Sequence, residues 1–342
     1  MKLHQFILAC ALAVTTAASA QENCGFPVSL LKSGFEAGEQ PSMVQLPPDT
    51  TPLTFTVDYP ANNITIGTDT IQVYGSYTGP SNTGFTVNGA AIVTTAQNFA
   101  SFAVPLTVGA NTITFVGSTI DGSPQTVTRT VTYDPNQAPE VRFLSVASGD
   151  FAPARMGFTL TYSLPASQTT LTRVQIDFNG DGTDEIDAST IPASLIYAFE
   201  SGGFFTATAK LTFDDSNVAT PLVVKTSSSK IAMQTMAYTR QTLCAVYYGM
   251  KHRLEPGQSG VTAALRTLTT ALRPEFQTIW MDLGANLSAT ANQLGEVVDG
   301  QISDTMAEFQ VAVPDPAVPG EFFGFPVAFR RGEDGVWRIS EM

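Results

Sequence analysis

The sequence predicts a multidomain chain: two all-β sandwiches followed by an α+β domain of helices and a curved sheet. Three observations carry this. From residue 50 to residue 228, apolar and polar residues alternate, and Gly, Asn and Asp turn signals break the runs. That is the pattern of short, half-buried strands. After residue 230 the apolar spacing changes from two to three and four, which is helical. The last stretch then returns to alternation, and helices followed by strands are the order of an α+β domain.

Composition bounds the function. The chain has 342 residues, 43% apolar and 14% charged. Such a length allows about two to three domains. The charged fraction is well below the usual ~25%, and the chain is too apolar for disorder. The net charge of −13, with only 17 Lys plus Arg, speaks against a nucleic-acid partner, because phosphate binding needs clustered basic side chains. It also speaks against an electrostatic hold on anionic lipid.

Residues 1–20 read as a signal peptide. Lys2 supplies the positive start, Phe6 to Val14 a short apolar run, and Ala18-Ser19-Ala20 a small-residue cleavage site. Ile7-Leu8-Ala9 before Cys10 imitates a lipoprotein anchor but sits too early in the chain. No later apolar run reaches ~18 residues, so no membrane span is expected. The expected location is secreted or periplasmic. Residues 21–49 form an N-terminal segment and linker that runs through Pro47-Pro48. With the signal removed, Cys24 and Cys244 remain. In an oxidising compartment they either form one bridge across a long loop or stay as two unpaired thiols.

Residues 50–135 form the first sandwich, of about seven strands by the spacing rule. Leu53, Phe55 and Val57 alternate, as do Ile71 and Val73, Phe85 and Val87, Phe102 and Val104, and Ile113 and Phe115. Asn88-Gly89 predicts a type I′ hairpin, since both residues tolerate the positive φ that this turn needs. The strings GFTVNGAAIV, FASFAVPLTVGANTITFVGSTIDG and TVTRTVTYD resemble the immunoglobulin-like module of the glucodextranase domain B type. That resemblance implies an accessory module with no catalytic residue.

Residues 138–228 form the second sandwich. Phe158, Leu160 and Tyr162 alternate, as do Val174, Ile176 and Phe178, and Ala207 through Phe213. The strings VQIDFNGDGTDEID and YAFESGGFFTATAKLTFDD resemble a PKD-type sandwich, with Phe204 and Phe205 where that family usually has Tyr. The acidic hairpin is also a candidate calcium loop. Asp177, Asn179 and Asp181 alternate before Gly182, and Glu185 falls at the ninth position. Position twelve is Ala188, so the closing bidentate Glu of a helix-flanked loop is missing. The other reading is a tight hairpin whose Asp and Asn bond their own backbone.

Residues 232–342 form the α+β domain. Leu243, Val246, Tyr247, Met250 and Leu254 lie on one helical face, ended by Pro256-Gly257. Ala264, Leu265, Leu268 and Leu272 predict a second helix. Pro274 opens a third, with Phe276, Ile279, Trp280 and Leu283 expected as its core face. A short fourth helix is expected from Leu287 to Leu294. Strands then follow through Ala307–Val313, Phe323–Phe329 and Val336–Ile339, the last two joined by the turn Glu333-Asp334-Gly335. GMKHRL, FQTIWMDLGANL and FPVAFRRGEDGVWRISEM resemble the cone-shaped fold of the nuclear transport factor two-like superfamily. In that superfamily some members are enzymes and others are binding or assembly modules.

No catalytic constellation emerges, and no residue is assigned a catalytic role. His252 is the only histidine beyond the signal, which removes histidine-rich metal motifs, and there is no nucleophile-elbow or phosphate-cradling motif. Tyr247, Tyr248, Trp280, Asp282 and Trp337 are candidates to line a pocket in the third domain; the plainer reading makes them core aromatics with a polar tip near water. No cofactor is expected apart from the calcium candidate. The function expected is non-catalytic: spacer, adhesion or assembly scaffold, with a protein or glycan partner at the cell envelope. Two alternatives stand beside it, a small-ligand or enzymatic role in the third domain, and carbohydrate binding by exposed tyrosines such as Tyr59, Tyr74 and Tyr77.

Overall fold

A computed structural model describes residues 48–137, 141–162, 170–214, 222–318 and 321–342. The signal-peptide reading, Cys10, Cys24 and nearly all of the N-terminal segment lie outside the described residues. The chain divides into two compact units, one centred on residues 51–236 and the other on residues 237–332 and 336–342.

The first unit is built from two β-sandwiches. Strands of the first are β1 (Thr54–Tyr59), β2 (Ile64–Ile66), β3 (Thr70–Ile71), β4 (Tyr74–Thr78), β5 (Gly84–Val87), β6 (Ala90–Ile92), β7 (Asn98–Ala100), β8 (Val104–Pro105), β9 (Gly109–Ser118) and β10 (Gln125–Tyr133). A three-stranded sheet, β1-β4-β7, and a five-stranded sheet, β2-β10-β9-β5-β6, share one core, and β3 pairs with β8. The strand number exceeds the seven expected because several strands are only two or three residues long. The expected apolar positions are inside: Val57, Ile71, Val73, Phe85, Val87, Ile113 and Phe115 are buried together, and Phe55 and Phe102 pack against them, while Gln72 and Thr86, between two of these pairs, are buried as well. Phe85 and Phe99 stack at 4.6 Å between ring centres. Asn88 (φ 50°) and Gly89 (φ 85°) both take positive φ in the β5–β6 hairpin, as the turn type requires.

The second sandwich comprises β11 (Val141–Ser145), β12 (Gly149–Ala152), β13 (Ala154–Tyr162), β14 (Thr170–Asp177), β15 (Ile186–Ala188), β16 (Ile196–Phe199), β17 (Gly203–Asp214) and β18 (Leu222–Thr235). Its sheets are β11-β13-β16 and β12-β18-β17-β14-β15. Phe143, Phe158, Val174, Ile176, Phe178 and Phe213 meet in its core.

The two sandwiches are locked together by polar groups. Gln72 is 4% exposed, and its amide behaves like one more peptide unit on β18. Its Nε2 donates to the Lys230 carbonyl (2.7 Å) and the Ser101 carbonyl (2.9 Å), and its Oε1 accepts from the Lys230 N–H (2.7 Å). Around it, Arg142 pairs with Asp69 and donates to Thr70 Oγ1 (2.8 Å). The Val93 N–H donates to Ser148 Oγ (3.2 Å), and Gln234 Nε2 donates to the Thr94 carbonyl (2.7 Å). Buried polar groups that find every partner fix one geometry, since any displacement leaves them unbonded.

The second unit holds α1 (Met236–Leu254), α2 (Val261–Leu265), α3 (Arg273–Asp282), α4 (Leu287–Gln293) and the antiparallel sheet β19 (Glu296–Ile302), β20 (Met306–Pro314), β21 (Phe322–Arg331) and β22 (Trp337–Glu341). The predicted face of α1 is buried throughout. Two expectations are corrected. The second helix is one turn long and does not continue through Leu268, because Leu268 forms a parallel bridge with Ile339: the Thr269 N–H donates to the Ile339 carbonyl (2.8 Å), and the Ile339 N–H to the Thr267 carbonyl (2.9 Å). On α3 only Trp280 is buried; Phe276 is half-buried and Ile279 exposed, so its expected core face is mostly open. Among the described residues no helix is long and apolar enough to cross a membrane.

Candidate functional site

The second unit contains a cavity of about 430 Å3. Its sheet wall follows from strand register. Val311 faces Phe325 across β20 and β21, and Phe309 faces Val327, so Phe309, Val311 and Val313 line up at every second position with Phe325, Val327 and Phe329. Toward one end this face is closed, with Phe309 and Phe329 fully buried and their rings 5.0 Å apart. Toward the other it opens: Val313 is half-buried and Phe325 is 44% exposed. Helices supply the opposite wall through Tyr247 of α1, Phe276 of α3, and Thr290 and Gln293 of α4, with Leu294 and Gly295 at the turn into β19. Met342 and Pro326 complete it.

Behind this wall lies a buried charged cluster. Lys251 is 3% exposed. Its ammonium donates to the Leu294 carbonyl, the Gly295 carbonyl (3.2 Å) and Glu296 Oε1 (3.2 Å), three acceptors for three N–H bonds. It also lies 5.5 Å from the Tyr248 ring centre and 5.8 Å from that of Tyr247. Tyr247 donates to the Gly295 carbonyl (3.0 Å); Tyr248 donates to Glu296 Oε2 (2.9 Å) and accepts from the Val297 N–H (3.0 Å). Helical spacing sets this up, because Tyr247, Tyr248 and Lys251 fall at i, i+1 and i+4 and share one side of α1. Burial, reinforced by the Glu296 carboxylate, pushes both tyrosine hydroxyls above their ordinary value of 10.0 and keeps them neutral.

Of the five pocket candidates, Tyr247 lines the cavity. Tyr248 belongs to the charged cluster, Trp280 is buried against Phe276 (5.4 Å), Asp282 is exposed, and Trp337 is buried on β22 opposite Arg331. Sequence reading missed Lys251 and Glu296. The signal for Lys251 was there, a basic residue on the apolar face of a helix one turn after Tyr247. Glu296 gave none, because β19 was not anticipated. His252 is exposed and pairs with Glu255 (3.0 Å).

In the acidic hairpin, Asp177 Oδ1 accepts from the Gly180 N–H (2.6 Å) and Oδ2 from the Gly182 N–H (2.9 Å). Asn179 Oδ1 accepts from the Asp181 N–H (2.8 Å), Asp181 Oδ1 from the Thr183 N–H (2.7 Å), and Glu185 Oε2 from the Phe178 N–H (2.7 Å). These bonds hold the Asp181 carboxyl below its ordinary value. Gly180 and Gly182 both take positive φ, which lets the loop curl around Asp177. All four candidate calcium ligands thus satisfy loop backbone, and among the described residues no three His, Cys, Asp or Glu side chains gather as metal ligands would. Cys244 is fully buried and disulfide-bonded; Cys24 lies outside the described residues.

No family model matches the chain, and no curated protein matches it. Solved structures of β-sandwich modules do. The chain is 17% identical to the fibronectin(III)-like modules of CbhA from Clostridium thermocellum, covering 53% of this chain and 95% of that one at a TM-score of 0.20. It is 13% identical to the neural ectodermal development factor IMP-L2, covering 56% and 98% at a TM-score of 0.22. It is 11% identical to SGBP-B of Bacteroides ovatus, solved with a mixed-linkage heptasaccharide, covering 53% and only 47% of that chain at a TM-score of 0.19. Likenesses this distant carry no argument about function. The modular, immunoglobulin-like β-sandwich architecture is read from the sheets themselves.

Proposed function

We propose that this chain is a non-catalytic modular protein, secreted or periplasmic, whose paired sandwiches act as a rigid spacer or assembly scaffold for a protein or glycan partner at the cell envelope. The observation that carries this is the Gln72 junction. It welds two modules that each have their own core into one body of fixed geometry. The motif strings support a finer reading, with a glucodextranase domain B-type module first, a PKD-type module second and a nuclear transport factor two-like cone third. Location follows from the signal-peptide pattern of residues 1–20.

Carbohydrate binding by the first sandwich has less support. Tyr77 is buried and its hydroxyl donates to the Thr95 carbonyl (2.7 Å). Tyr59 and Tyr74 stack on each other at 5.5 Å instead of forming a flat row, and Lys230 covers Tyr74 at 5.5 Å. A glycan array probed with the intact protein separates the two readings. The spacer reading expects no glycan signal that depends on these rings. A hit abolished by Tyr59→Ala or Tyr74→Ala would overturn it in favour of carbohydrate recognition.

A further inference from the structure

The cavity of the second unit is a cleft that opens to solvent at one end. At about 430 Å3 it falls within the ~300–1,000 Å3 of small-molecule sites. Here an aromatic side chain, Phe325, stands half in water at the mouth instead of closing over it.

The chemistry of the lining narrows the occupant. No side chain that lines the cavity is acidic or basic. Its single titratable side chain, Tyr247, is held neutral by burial and has committed its proton to the Gly295 carbonyl. Thr290 donates to the Asn286 carbonyl of its own helix (3.0 Å). Lys251 and Glu296 lie outside the lining and are bonded to each other. A charged ligand would therefore lose its hydration with no charged side chain in the lining to replace it. Gln293, exposed on α4, offers an amide NH2 as donor and an amide oxygen as acceptor at the rim.

We propose that this cavity is a binding site for an uncharged, largely apolar small molecule, gripped by Phe276, Val311, Val313, Phe325 and Val327, with a hydroxyl or carbonyl of the ligand turned toward Gln293. The site is independent of the spacer role of the sandwiches and holds whether or not that reading stands.

The test uses the intact protein and the neutral fluorophore N-phenyl-1-naphthylamine, with decanol, decanoate and decylammonium as competitors. Saturable binding at one site is expected, and decanol should compete at a concentration at least about ten-fold lower than either ion. Val313→Trp fills the cavity and should weaken the probe by at least about ten-fold. Phe325→Ala, at an exposed edge where folding is not at stake, should weaken it several-fold, while Val108→Ala on the first sandwich should leave it unchanged. Absence of saturable binding would overturn the proposal, as would wild-type affinity in Val313→Trp. Decanoate or decylammonium competing as well as decanol would overturn the assignment of an uncharged ligand. Should Val313→Trp fail to fold, unchanged affinity in Phe325→Ala is the refuting result.

Discussion

Replacing Gln72 by Ala removes one amide and leaves three buried backbone groups without their partner: the Lys230 N–H, the Lys230 carbonyl and the Ser101 carbonyl. A buried polar group that loses its partner costs about 1–3 kcal/mol. Truncation makes room for water to re-bond some of them, so the lower figure applies, giving a total near 3 kcal/mol. For a body in the 150–250-residue class, 1 kcal/mol shifts the midpoint by about 2–4 °C, which puts the loss at roughly 6–12 °C. Differential scanning calorimetry of the intact protein reads this directly. The control is Gln97→Ala, an exposed side chain in the same sandwich, expected to fall within about 0.5 kcal/mol of wild type. A Gln72→Ala midpoint as close to wild type as the control's would refute the reasoning, because the junction would then owe nothing to the amide.

Other outcomes follow from the same bookkeeping. Lys251→Met leaves Glu296 and two carbonyls facing an apolar side chain; breaking a buried ion pair costs about 3–5 kcal/mol, and the partial exposure of Glu296 brings this to about 2–3 kcal/mol, read by urea denaturation of the second unit. Asp177→Ala removes two charge-assisted bonds that shape the hairpin and should cost about 2–3 kcal/mol by the same method. Calcium, in turn, should leave the wild-type midpoint unchanged, and a rise of several degrees on adding it would show that the loop rearranges to hold the ion. Tyr247 and Tyr248 have folded-state pKa values raised above 10.0, so the native state keeps protons that the unfolded chain releases. Their contribution is complete below about pH 10 and is lost as pH rises above it, by up to about 1.4 kcal/mol per pH unit for each tyrosine. Thermal midpoints measured from pH 8 to 11 should fall, and Tyr248→Phe should flatten the fall; an identical slope in the variant would contradict the assignment.

The sandwiches were legible because period-two alternation reports burial directly, as Ile113 and Phe115 or Val174 and Ile176 illustrate. The hairpin at Asn88-Gly89 was legible because so few residues accept positive φ. Helix length was less so. Leu265, Leu268 and Leu272 fit a helical face, yet Leu268 is claimed by a strand seventy-one positions later, and no local pattern reveals such a partner. The Gln72 junction was hidden for the same reason, since a glutamine between Ile71 and Val73, in the link from β3 to β4, looks like a solvent-facing residue until the second sandwich packs over it. The cavity was half-visible: the strands that line it were expected, but alternation shows which residues face inward and not whether the space between them is filled.

The rigid junction is tested most directly by the distance between spin labels on the two sandwiches, measured by pulsed electron paramagnetic resonance. Labels at exposed Val108 and Val224 (V108C/V224C) span the junction, and labels at Ala90 and Val108 (A90C/V108C) lie within the first sandwich. A fused body predicts that the spanning pair gives one peak as narrow as the internal pair, and that Gln72→Ala broadens only the spanning pair. A broad distribution for the spanning pair in the otherwise wild-type protein would contradict it, and with it the rigid spacer.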